Sequence, residues 1–117
     1  MPEQALARGR VIVPYGRSTM ALVAAHSLAR RGVEVIGCDN FDLTLLSFSN
    51  AVQEYFVHPD PDEDPDGHLE VLLERIERHR PEPDRPYVLM PIYRDTRFYA
   101  EHREKLEAAG IRVAAPD

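Results

Sequence analysis

Arg10-Val11-Ile12-Val13-Pro14-Tyr15-Gly16-Arg17-Ser18 is the stretch on which the fold turns. A short β-branched run, apolar on both faces, is the mark of a central strand in a parallel sheet. Pro14 ends it where a missing N–H is tolerable. Tyr15-Gly16-Arg17 reads as a turn, and Ser18 as the N-cap of a helix over Thr19 to Arg31 that Gly32 ends. Ala21, Ala25 and Leu28 share one face of that helix, and Leu22, Ala24 and Ala29 broaden it, so it packs closely on a sheet. Val33 to Asp39 reads as a second strand, ending in an acid. The unit is strand, helix, parallel strand.

The same alternation continues outward. Leu43 to Phe48 is long enough for one or two helical turns, and Glu54-Tyr55-Phe56-Val57 for a short third strand. His58 to Asp64 reads as a solvated stretch, and Asp64-Pro65 as a capped helix start. Leu69, Leu72, Leu73 and Ile76 then give a helix over residues 65–79. Pro81, Pro83 and Pro86 make a connector before a strand over Tyr87 to Ile92. Asp95 or Thr96 caps a helix to Ala109, with Phe98, His102, Leu106 and Ala109 on one face, and Ile111 to Ala114 forms a fifth strand. Residues 1–9 read as a flexible lead-in. The order predicts a Rossmann-like three-layer α/β/α domain with a mostly parallel five-stranded sheet. Ligands of such sheets bind beyond the carboxyl ends of the strands, which points to the loops 14–18, 39–44 and 91–96.

Composition narrows the function. At 117 residues the chain is one domain's worth of length, with 44% hydrophobic and 29% charged residues. The longest apolar run, Met20 to Ala25, is too short to span a membrane, and no secretory pattern opens the chain. A cytoplasmic protein is the expectation. The net charge of −6 argues against a nucleic-acid partner. Cys38 is the one cysteine, so an internal disulfide and a multi-cysteine zinc site are both excluded. Of the 14 basic residues only Lys105 is lysine. A P-loop needs a lysine at its end, and a phosphorelay receiver resembles families with one after the last strand; neither is present.

Two loops are dense in binding chemistry. Gly16, Arg17 and Ser18 offer a sharp turn, a bidentate cation and N–H donors at a helix start. Asp39 stands 23 residues past Gly16, where an acid would meet ribose hydroxyls in a dinucleotide-binding unit. Two of the three glycines of that fingerprint are missing, and a plain capped turn accounts for the same residues. Tyr93, Arg94 and Asp95 bring an aromatic, a cation and an acid to the same sheet edge. The histidines at 26, 58, 68, 79 and 102 show no metal-ligand spacing, and His26 and His102 read as packing residues of helices. Asp62-x-Asp64-x-Asp66-Gly67 matches the start of a calcium loop, but its twelfth position is Leu73, and a capped helix start explains the same acids. No catalytic and no metal-ligating residue is assigned.

In order, these segments resemble the N-terminal domain of ATP-grasp enzymes. Val11 to Ser18 opens as that domain does, followed by Gly32 to Asp39, Ser47-Phe48-Ser49-Asn50-Ala51-Val52 before Glu54 to Pro59, Val88-Leu89-Met90-Pro91, and Ala109 to Pro116. The resemblance covers residues 10–117 and is nearest to carbamoyl-phosphate-synthetase-like carboxylate–amine ligases. Pro91-Ile92-Tyr93 and the Glu107 to Ile111 ending are also similar to biotin carboxylase, without the glycines that follow its proline. The resemblance implies an acyl-phosphate mechanism: ATP activates a small-molecule carboxylate, and an amine or other nucleophile attacks it. ATP and Mg2+ are then held mainly by an ATP-grasp module following this domain, which supplies one wall of the substrate cleft and is not active alone. A homodimer is compatible with it. The alternatives are a biotin carboxylase or carbamoyl-phosphate-synthetase-type domain, and a stand-alone nucleotide-binding Rossmann-like module.

Overall fold

Side chains of a strand point alternately to its two faces, and in β1 (Arg10–Val13) both faces are buried. Val11 and Val13 enter one core, Ile12 the other. Such a strand belongs at the centre of a sheet covered on both sides. The computed structural model, which describes residues 9–92 and 96–115, places it there. With β2 (Glu34–Asp39), β3 (Glu54–Val57), β4 (Tyr87–Leu89) and β5 (Arg112–Val113) it forms a sheet ordered β3-β2-β1-β4-β5. Every pairing is parallel, with Ile12 opposite Ile36 on one side and Leu89 on the other.

The helices divide between the faces. Helix α1 (Thr19–Arg30) lays Ala21 and Ala25, both fully buried, over Val11, Val13 and Val35. Helix α2 (Pro65–Arg78) seats Leu69, Leu72 and Ile76 on the opposite face, with Tyr99 of α3 (Thr96–Glu101) and Leu106 of α4 (Arg103–Ala108). This is a three-layer α/β/α fold. Among the described residues no helix is long and apolar enough to cross a membrane.

Four local expectations change. The segment between β2 and β3 makes only a single 3-10 turn, Leu46–Phe48. Strand β4 stops at Leu89, shortly before Pro91, which has no N–H for a ladder. The last helix is interrupted at His102. The Phe98 carbonyl there accepts both the His102 backbone N–H at 3.2 Å and its imidazole Nδ1–H at 2.8 Å, so a side chain competes with the helical bond. Its buried face carries Tyr99 and Leu106, while Phe98 and His102 stack, ring centroids 4.4 Å apart, and are only half-buried.

The turn after β1 also differs from its reading. The residue in the left-handed region is Tyr15, with φ 62°, not Gly16. Gly16 is required for closeness. Its N–H donates to the Cys38 carbonyl and its own carbonyl accepts from Leu46, at 2.9 and 3.0 Å. A Cβ there would lie 2.9 Å from Thr44 Oγ1 and 3.1 Å from Leu46 Cβ. Gly16→Ala is therefore expected to cost about 1–3 kcal/mol in urea unfolding, through the shift forced on the 44–46 backbone. A cost below about 0.5 kcal/mol would show that this contact yields freely.

Candidate functional site

The parallel register brings the exits of β1, β2 and β3 to one sheet edge, where three loops and one helix enclose a cavity of about 110 Å³. Tyr15 and Arg17 come from the loop after β1, and Asp39 and Asn40 from the end of β2. His58, Asp60, Pro61 and Asp62 come from the loop after β3, and Phe98 and Tyr99 from α3.

Arg17 and Asp39 form its best-ordered contact. The Arg17 backbone N–H and Nε donate to Asp39 Oδ2 at 3.0 and 2.9 Å, and Nη2 donates to Oδ1 at 2.5 Å. The Asn40 N–H gives Oδ1 another bond at 2.6 Å, and Asn40 Oδ1 accepts from Arg17 Nη2 at 2.5 Å. The Asp39 side chain is only 2% exposed, and its two oxygens are filled by these four donors. Burial pushes the Asp39 pKa up, but the bonds from Arg17 and Asn40 outweigh it and hold the carboxyl below its ordinary value. The bond to Asp39 raises the Arg17 pKa against burial. The guanidinium lies between the rings of Tyr15 and Phe41, 4.5 and 4.7 Å from their centroids.

The residues expected at the site thus have definite places. Gly16 is a packing position under the loop, and Ser18 caps α1, its Oγ accepting the Met20 N–H at 3.0 Å. The N–H groups of Arg17, Ser18 and Met20 are engaged by Asp39, Tyr15 and Ser18, so these three donors are already bonded within the site. Arg17 and Asp39 line the cavity, but each has the other as its partner. Tyr93, Arg94 and Asp95 lie outside the described residues. Within the 62–67 segment Asp64 has a local use: its Oδ1 accepts the Gly67 N–H at 3.0 Å, capping α2.

A buried chain behind the cavity escaped the sequence reading. His58 Nδ1 lies 2.9 Å from the Pro59 carbonyl and 2.9 Å from His68 Nδ1, and His68 Nε2 lies 2.9 Å from Tyr99 Oη. A carbonyl only accepts, so His58 carries its proton on Nδ1. His68 Nδ1 is then an acceptor, and its Nε2–H donates to Tyr99. His58 Nε2 keeps its lone pair and is buried without a partner among the described residues. Burial lowers the His58 pKa, and burial with the neighbouring His58 pushes His68 down to about 3. Two sequence signals mark the chain in retrospect. His68 is in helical phase with Leu72 and Ile76, and His58 follows Phe56 at strand spacing.

Among the described residues no group of three or more His, Cys, Asp or Glu could hold a metal ion, and Lys105 sits exposed on α4. Comparison with protein-family models finds no match, and comparison with curated proteins finds none.

Two outcomes check this geometry. Arg17→Ala leaves a buried carboxylate with half its donors, and is expected to cost about 2 kcal/mol in chemical denaturation. Arg17→Ala combined with Asp39→Ala should cost less than the two single losses added. Strict additivity would mean that the pair is not coupled. The histidines set a pH dependence. Above their unfolded pKa of about 6.5, both states are neutral and the histidines contribute nothing. Below it the unfolded chain binds protons that the fold refuses, so stability falls as pH drops from about 6.5 towards 3. Denaturation at pH 6.5 and 4.5 should show this loss, and His68→Gln should make it smaller. An unchanged loss would assign the acid sensitivity elsewhere.

Proposed function

We propose that this domain forms one wall of the substrate cleft of an ATP-dependent carboxylate–amine ligase of the ATP-grasp type. The supporting observation is the cavity at the carboxyl ends of β1, β2 and β3, polar in its lining and built on a first loop, residues 14–18, that carries a single glycine, Gly16. Such a cavity suits a small polar substrate rather than a nucleotide. The order of segments resembling the ATP-grasp N-terminal domain supports the same reading. In it, ATP and Mg2+ are assigned to a separate ATP-grasp module, which phosphorylates the substrate carboxylate, and this domain positions a reactant.

The Arg17–Asp39 pair weighs against a stand-alone dinucleotide-binding module. The acid that would take the ribose hydroxyls already accepts four hydrogen bonds, and the Arg17, Ser18 and Met20 N–H groups of the first turn are already bonded within the protein.

The test is an ADP-release assay. The 117-residue chain with ATP and Mg2+ is expected to release no ADP above a protein-free control. Joined to the ATP-grasp module that the reading requires, it should form ADP only when a carboxylate substrate is supplied. Saturable binding of NAD or ATP to the chain alone at micromolar concentration, by calorimetry, would overturn the assignment.

A further inference from the structure

Apolar side chains left in water are distributed unevenly over this fold. Met20, Val23, Leu43, Leu45 and Phe48 are 43 to 74% exposed. Phe41 and Val57 are the other large apolar side chains exposed among the described residues, and α2, α3 and α4 carry none. The five sit on two neighbouring elements. Met20 and Val23 are three apart on α1, on the side opposite the buried Ala21 and Ala25. Leu45 and Phe48 are three apart across the 3-10 turn, a spacing at which side chains eclipse. Leu46 between them is buried in the same core as Ala21 and Ala25, so α1 and the turn lie side by side on one face of the sheet. Charge is missing from the same place. Residues 18–29 and 43–53 contain no Asp, Glu, Lys or Arg, in a chain that is 29% charged. Helix α2, on the other face, carries six charged residues from Asp66 to Arg78. Apolar side chains with charge depleted around them are the composition of the centre of a protein interface.

From this we infer that the face formed by α1 and the 43–48 segment pairs with the same face of a second copy of the chain, about a two-fold axis. Such a contact sets each patch against itself, so any charge within it is brought close to its own copy. A face without charge avoids that cost. The net charge of −6 opposes the approach of two copies through charged surface, which singles out the uncharged face for self-pairing. The area agrees. The five side chains expose on the order of 600 Å², at the upper end of the largest apolar patch a monomer carries. A specific complex buries about 800 Å² on each partner. The uncharged, partly or fully exposed Thr19, Ser49 and Asn50 supply a rim that makes up the difference. An area of this class gives a reversible dimer rather than an obligate one. A lipid surface is a poorer occupant: anionic headgroups attract Lys and Arg, which both segments lack, and repel a chain of net charge −6. None of the five residues lines the cavity, so this face is distinct from the candidate site.

The test is sedimentation equilibrium of the 117-residue chain over about 5 to 500 µM, with backbone amide shifts followed on dilution. A monomer–dimer equilibrium that closes at the dimer is expected, with a Kd on the order of 10–100 µM. The contact holds no ion pair and the copies repel at long range, so raising NaCl from about 0.1 to about 0.5 M should leave the Kd unchanged or lower it. Phe48→Asp and Val23→Asp each set a new charge against its own copy at an exposed position, and each should raise the Kd at least about tenfold. Arg97→Asn, exposed on α3, lowers the net charge by the same single unit and should leave the Kd unchanged. The dilution shifts should fall on α1 and residues 43–53. A chain that stays monomeric throughout, growth past the dimer, an unchanged Kd in both aspartate variants, or shifts confined to α2, α3 and α4 would each overturn the proposal. The dilution map needs no variant, so it decides even if the aspartate variants fail to fold. A monomeric chain whose α1 face is covered only on joining an ATP-grasp module would give the face to that module and remove the dimer. ADP release reads the ligase assignment separately, and neither outcome there moves the Kd measured on the chain alone.

Discussion

The Arg17–Asp39 pair is the constraint from which the rest of the sheet edge takes its shape. A carboxylate buried at the end of a central strand is tolerable only if its lone pairs are filled. Here Arg17 fills most of them, using both its backbone and its side chain. The loop after β1 must therefore fold over the end of β2, which places Tyr15 in the left-handed region and presses Gly16 against Thr44 and Leu46. The cost of the strained Tyr15 backbone, on the order of 1 kcal/mol, is offset by those bonds and by its ring stacking on the guanidinium. The Arg17–Asp39 floor of the cavity is thus electrically neutral.

A neutral floor changes what the cavity can recognise. With Arg17 and Asp39 matched, its electrostatic character falls to the loop after β3, which carries Asp60 and Asp62. His58 joins that loop to the core through His68 and Tyr99, and Tyr99 lines the cavity in turn. The wall of the site and the core of the domain are consequently one hydrogen-bonded unit. Burial in that unit favours neutral histidines.

Arginine has a second use in this chain, in which only one basic residue is lysine. Arg10 reaches the His79 carbonyl as well as Glu34, Arg80 reaches the Ala109 carbonyl, and Arg103 reaches those of Val113 and Ala115. A planar fork with five donors can bond a carbonyl and a carboxylate together, which a lysine does less well. The arginine bias that excluded phosphate-loop families from composition thus also has a structural use at the carbonyl ends of loops and helices.

Sequence alone determined the layered architecture. Strand runs apolar on both faces must be sandwiched, and parallel neighbours joined by helices leave little choice of class, so β1, β2, α1 and α2 fall close to where periodicity puts them. It also indicated that the first turn and Asp39 meet at the site edge. Only the tertiary structure decided their partnership. Arg17 and Asp39 are 22 positions apart, and nothing local tells whether a cation faces solvent, a ligand or a neighbouring acid. The His58–His68–Tyr99 chain was illegible for the same reason: it joins residues up to 31 positions apart. Burial turns each from a common surface type into a committed donor or acceptor. Periodicity reports which face of an element is apolar; it does not report which polar groups three elements will share once they are packed.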